Sequence, residues 1–228
     1  MPSSILKQQW LGQQNDYLVD AGHGHFLHPD VNDAVKAMQQ KAHCDGIDLQ
    51  IVSSYRSFDR QLAIFNRKWR GEAVLRDAQG NELVFSELSD TQKLQAILTW
   101  SALPGASRHH WGTDLDVYDR TSVHQWSGSF ELVEQEYLSE GPCYALACWL
   151  EDNMNEFGFY RPFEKNVGGV AREPWHISYK SVASNFELAR SENALADALT
   201  QSEILGKDII LGQLPSLYQQ YVLNKGES

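Results

Sequence analysis

Residues 104–119 read PGASRHHWGTDLDVYD, a glycine-punctuated loop that passes into a run of alternating polar and apolar residues. Period-two alternation is the pattern of a half-buried strand, so Leu115 and Val117 are expected on one face and Asp114, Asp116 and Tyr118 on the other. The loop before it places His109 and His110 a short distance from two carboxylates on one strand face. What lies around this strand sets the fold class.

Upstream, residues 28–43 carry Val31, Ala34, Val35 and Met38 at helical spacing, with Pro29 at the start and Gly46 beyond the end. Ile47, Leu49 and Ile51 then alternate with Asp48 and Gln50 as a strand. From Ser57, an N-cap residue, Leu62, Phe65 and Trp69 follow one helical face until Gly71. Two β-prone runs around Gly80-Asn81 predict a hairpin over 74–85. The SDTQ of 89–92 has the form of a capping box and opens a helix through Leu94, Ile97 and Leu98, closed by Pro104-Gly105.

Downstream, 141–157 reads as a helix and 175–179, WHISY, as a strand; helical patterns return after Ser184. Short strands interleaved with helices predict an α+β domain with a small, mainly antiparallel sheet flanked by helices. No repeat or linker divides the chain, so one domain over 1–228 is expected, with a core of about 28–180 and a helical extension over about 184–228.

Composition narrows the function. The 228 residues, 42% hydrophobic and 11% aromatic, suffice for a sizeable core. A net charge of -11 disfavours nucleic-acid partners, which require a positive footprint. No apolar run has the length of a leader or a membrane span, so a cytoplasmic location is expected for the chain as given, or a periplasmic one if a leader has been removed. Cys44, Cys143 and Cys148 form an odd, scattered set that reads as reduced, buried thiols.

Zinc hydrolysis chemistry needs three nitrogen or oxygen ligands, an open position for water and a base beside it. His109 and Asp116 are seven residues apart with Gly112 between them, and Glu173-Pro174-Trp175-His176 offers a third ligand and a carboxylate. At this level His110 competes with His109 and Asp114 with Asp116. The cluster His23, His25 and His28 reads as a glycine-flanked loop, and Cys143 and Cys148 point in different helical directions. Trp111 and Trp175 adjoin candidate ligands and are candidates for the pocket wall.

Ser107-x-His109-x-x-Gly112-x-Asp114-x-Asp116 together with Glu173-x-Trp175-His176 resembles the signature of the zinc D-alanyl-D-alanine carboxypeptidases and dipeptidases related to the vancomycin-resistance enzymes. SSYRSFDRQ at 53–61 resembles a third block of that family, a Ser-x-Tyr-Arg-Ser with a Gln five residues after the Arg. The resemblance implies a hedgehog/DD-peptidase-like fold, zinc held by His109, Asp116 and His176, and Glu173 as general base. It further implies Arg56 on the scissile carbonyl, and Gln61 and Ser107 in the pocket for the substrate's terminal carboxylate. One departure stands out: the position two before the ligand Asp is commonly small in the family, and here it is Asp114.

The implied activity is release of C-terminal D-alanine from peptidoglycan peptides, by a D,D- or L,D-carboxypeptidase. With no leader read, soluble stem peptides and an L,D-bond are the expected substrate. The same resemblance allows a D-Ala-D-Ala dipeptidase or a cell-wall endopeptidase, and a non-catalytic zinc-binding module is the rival of another class. A structural site needs neither a base nor an oxyanion clamp, which favours the enzyme.

Overall fold

The computed structural model describes residues 5–226. In chain order the elements are α1 (Lys7–Trp10), β1 (Val19–Gly22), β2 (His25–Leu27), α2 (Pro29–Cys44), β3 (Leu49–Ser53), α3 (Phe58–Trp69), α4 (Asp90–Trp100), β4 (Asp114–Asp119), α5 (Arg120–Gln125), α6 (Tyr144–Asn153), β5 (Phe159–Tyr160), β6 (His176–Tyr179), α7 (Lys180–Leu188), α8 (Glu192–Gln201) and α9 (Lys207–Leu217). The sheet is antiparallel in the order β3-β4-β6-β5, which places the alternating run at its centre.

Alternation does what the sequence pattern requires. Leu49, Leu115, Val117 and Ile177 join one buried cluster with Val31, Val35 and Met38 of α2 and Leu146 and Leu150 of α6. The opposite sheet face carries Asp114, Asp116, His176 and Ser178. A second cluster gathers Phe58 and Phe65 of α3, Leu94, Ile97 and Leu98 of α4, and the apolar residues of α7, α8 and α9. The described part of the extension, 184–226, therefore contributes to the core: Leu195, Leu199 and Ile210 are among its buried residues.

Helix starts follow their caps. Ser57 accepts from the Arg60 N–H at the start of α3, and Ser89 with Gln92 forms the capping box of α4. Four expectations change in the structure. The 74–85 hairpin shrinks to an isolated bridge, Arg76 to Glu82, because the Asp77 carboxylate takes the Gln79 and Asn81 N–H groups and folds the segment into a turn. The helix read over 141–157 is α6 alone, continued by a 3-10 turn over 154–157.

The histidine-rich stretch is a hairpin, β1 with β2, that turns at His23 and Gly24, both at positive φ. His28 caps α2, and His25 Nδ1 lies 3.0 Å from Ser54 Oγ, so their rings do not share a centre. Of the three thiols only Cys143 is buried; Cys44, the last residue of α2, and Cys148, in the middle of α6, are exposed, and none is in a disulfide. Among the described residues no helix is long and apolar enough to cross a membrane.

Candidate metal centre and active site

Sheet register brings the first two groups together. Asp116 of β4 pairs directly with His176 of β6, and Asp114 pairs with Ser178, so neighbouring residues of one face stand side by side. The third group arrives through a turn. Residues 108–111 form a 3-10 turn that ends at Gly112, whose φ of 67° redirects the chain into β4. A side chain at Gly112 would meet Leu18 and the His28 backbone, so close packing as well as dihedral angle demands glycine.

The segment after β3 decides which histidine is available. His110 spends both ring nitrogens: Nε2 accepts from the Gly105 N–H at 2.9 Å, and Nδ1 donates to Arg56 O at 2.6 Å. Burial pushes its pKa down to about 3, so it is a neutral structural clamp. His109 uses one nitrogen. Its Nδ1 donates to Ser54 O at 2.8 Å, which leaves the Nε2 lone pair 3.3 Å from Asp116 Oδ2.

The two aspartates separate in the same way. Asp114 is fully buried and accepts four hydrogen bonds, from Arg108 Nε (2.6 Å) and His176 Nε2 (2.9 Å) on Oδ1 and from Thr113 Oγ1 (2.6 Å) and Ser178 Oγ (3.0 Å) on Oδ2. Its lone pairs are spent. Asp116, also buried, keeps Oδ1 without a hydrogen-bond partner, 3.3 Å from His176 Nδ1. His176 is thereby oriented by Asp114 and presents Nδ1 on the side of Asp116, with Glu173 Oε2 3.2 Å away.

Donor atoms of His109, Asp116 and His176 lie within 4.8 Å of one another, and the two imidazoles meet edge to face with centroids 4.9 Å apart. Two neutral-capable imidazoles and an orphaned carboxylate oxygen are a donor set that suits a divalent cation such as zinc. Electrostatics agree. Burial lowers the His176 pKa, but the carboxylates of Asp114, Asp116 and Glu173 outweigh it and hold the ring well above its ordinary value, so the site draws in positive charge. Burial likewise raises the Asp116 carboxyl, yet His109 and His176 hold it well below the usual carboxylate range.

These groups open into a cavity of about 750 Å³ lined also by Arg56, Ser107, Trp175 and Phe163. Burial lowers the Arg56 pKa while Asp116 and Glu173 raise it, and its Nε is buried without a partner. Ser107 is on the cavity wall. Gln61 is not: it is fully buried, and its Nε2 donates to Ala102 O (2.8 Å) and Ser101 Oγ (3.2 Å), supporting the 101–103 wall from behind. Trp175 lines the cavity beside Trp100, with ring centroids 6.3 Å apart, whereas Trp111 lies in the core, stacked on Phe186.

Three wall components escaped sequence reasoning. Arg108 sits between Asp114, Glu187 (2.6 Å) and Tyr160 (2.9 Å), tying β4 to α7. Residues 222–224 also line the cavity, fastened by Arg190 Nη1 to Val222 O (2.7 Å) and by the Val170 N–H to Asn224 Oδ1 (3.1 Å). Lys68 is the third, and its signal was a charged residue on the same α3 stripe as buried Phe65.

A profile of the VanY D-alanyl-D-alanine carboxypeptidases matches residues 24–182. The chain belongs to that family. An uncharacterised protein of Haemophilus influenzae is 34% identical over 127 residues, 55% of this chain and 96% of that protein. A D-alanyl-D-alanine carboxypeptidase of Enterococcus faecalis is 26% identical over 144 residues, covering 62% of this chain and 43% of its own. Among solved structures, VanYB in complex with D-alanine-D-alanine aligns with a TM-score of 0.53 at 22% identity, over 84% of this chain and 92% of its own, a likeness of fold. The VanY match ends near the start of α7, so the 222–224 wall lies outside it.

Proposed function

We propose that this VanY-family peptidase is a zinc-dependent carboxypeptidase that removes a C-terminal D-alanine from peptidoglycan-type peptides. One observation carries the reading: the His109, Asp116 and His176 donors converge in a cavity wall beside a carboxylate, Glu173, that is not spent on a structural cation. Zinc in such a set supplies Lewis acidity and brings the pKa of water down to about 7. Glu173 is placed to accept that water's proton and pass it to the leaving amine. Arg56 offers the carbonyl oxygen a fixed positive charge, an effect worth on the order of 3 kcal/mol when the oxyanion forms. Ser107 contributes a hydroxyl from the wall, with Gln61 holding that wall in place.

The dipeptidase and endopeptidase readings use the same residues and differ in where the substrate chain ends. Arg56 and Glu173, both facing the cavity, count against a metal-binding module without activity. The test is D-alanine release from tripeptide, tetrapeptide and pentapeptide stems by zinc-loaded protein. Release abolished by a chelator and restored by zinc is expected, and the tetrapeptide-to-pentapeptide ratio reports L,D- against D,D-specificity. No release from any stem, with chelation still lowering thermal stability, would assign the module instead.

A further inference from the structure

Five cations stand on the cavity wall, Arg56, Lys68, Arg76, Arg108 and Arg190, and they divide into two kinds. Arg76 is paired with Glu82 and Glu131, Arg108 with Asp114 and Glu187, and Arg190 donates to the carbonyls of Glu187 and Val222. Among the described residues, Lys68 and the Arg56 guanidinium have neither a hydrogen bond nor an ion pair. Lys68 occupies the last turn of α3, on the stripe of Gln61 and Phe65. Long helical side chains lean towards the helix N-terminus, and Arg56 lies just before it. The fields of Arg56 and Glu173 both reach the Lys68 ammonium.

Such a pair is costly as it stands. Burial, then the Arg56 charge, lower the Lys68 pKa to about 8, and the Glu173 charge offsets this only in part. An anion entering the cavity relieves both costs. A peptide about to lose its last residue carries one permanent anion close to the bond being cut, its free carboxylate, and Arg56 is already assigned to the carbonyl.

We propose that Lys68 receives the substrate's C-terminal carboxylate and so makes the enzyme selective for bonds next to a free chain end. This rests on the peptidase reading above and adds to it a residue outside the three sequence blocks. Lys68 is a specificity residue that holds the end of the peptide and takes no part in the proton transfers.

The experiment compares a pentapeptide stem ending in free D-alanine with the same stem ending in D-alanine amide, using zinc-loaded wild type, Lys68→Met and Lys68→Arg. A charge-assisted contact of this kind predicts that Lys68→Met lowers kcat/KM on the acid by roughly 10- to 100-fold, mainly through KM, and leaves the amide within about threefold. Lys68→Arg should recover part of the preference for the acid. Equal losses on both peptides, or no loss on either, would overturn the proposal. If wild type cuts neither peptide, the peptidase reading fails separately, and calorimetric binding of the two peptides still decides Lys68: an acid preference abolished in Lys68→Met supports it, and an unchanged preference rejects it. Thermal midpoints of the variants identify a folding defect, in which case Lys68→Gln takes the place of Lys68→Met.

Discussion

Asp114 Oδ1 accepts the Nε2 proton of His176 at 2.9 Å, and the same imidazole turns Nδ1 towards Asp116 Oδ1 at 3.3 Å. The residue that departs from the family pattern thus fixes the tautomer of a proposed ligand without competing for the metal. Carboxylates in this position typically raise metal affinity about 10- to 100-fold. Asp114→Asn is expected to weaken zinc binding by that factor while keeping a bindable site, whereas Asp116→Asn should abolish stoichiometric zinc. Metal titration of the two variants checks the order, and the reverse order would make Asp114 the ligand.

Glu173→Ala should keep its zinc and lose activity by about 10²- to 10⁴-fold, the range for a positioned proton carrier. Metal content measured with turnover on one sample separates the roles. Loss of zinc in this variant would make Glu173 a ligand.

Arg56→Lys is expected to lower kcat about 100-fold with little change in zinc content, because a point charge on a flexible stem does not reproduce a planar guanidinium. Steady-state kinetics on a D-alanine-terminated stem measures it, and a kcat within threefold of wild type would remove Arg56 from oxyanion stabilisation.

Zinc bound only by the folded state stabilises it by about 2.7 kcal/mol at a hundredfold excess over Kd. For a chain of this size that corresponds to a thermal midpoint roughly 5–10 °C higher than after chelation. Calorimetric scans with zinc and with chelator test this, and coincident midpoints would argue that the three donors hold no metal.

Gly12→Ala tests the clamp behind the site. Gly12 has a φ of 74°, a Cβ there would overlap the His110 ring, and His110 in turn holds Arg56 O. A loss of about 1–3 kcal/mol in urea unfolding is expected, together with reduced turnover. Unaltered stability would show that the His110 clamp yields freely.

Much of this protein was legible along the chain. Alternation at 114–119 fixed which side chains share a face, since successive residues of a strand point to opposite sides whatever the strand packs against. Ser57 and Ser89 marked helix starts because an N-cap acts on the next turn alone. The blocks at 53–61, 107–116 and 173–176 named Arg56, Ser107, His109, Asp116, Glu173 and His176, which the structure brings to one cavity, and Gln61, which it places behind the wall.

Tertiary structure alone shows why His109 and Asp116, which the family resemblance selects, keep open donor atoms while their neighbours do not. Asp114 and Asp116 share a strand face, and His109 and His110 are adjacent, so local pattern treats each pair alike. The reason lies in partners that the fold brings up: His176 and Ser178, 62 and 64 residues on, join Arg108 on Asp114, while Arg56, 54 residues back, joins Gly105 on His110. A donor atom is open to a metal or a substrate only when no other group has claimed it, and those claims are made by segments that meet on folding. Lys68 and the 222–224 wall became visible for the same reason, because a helix stripe and a distant C-terminal turn reveal a shared cavity only once both are in place.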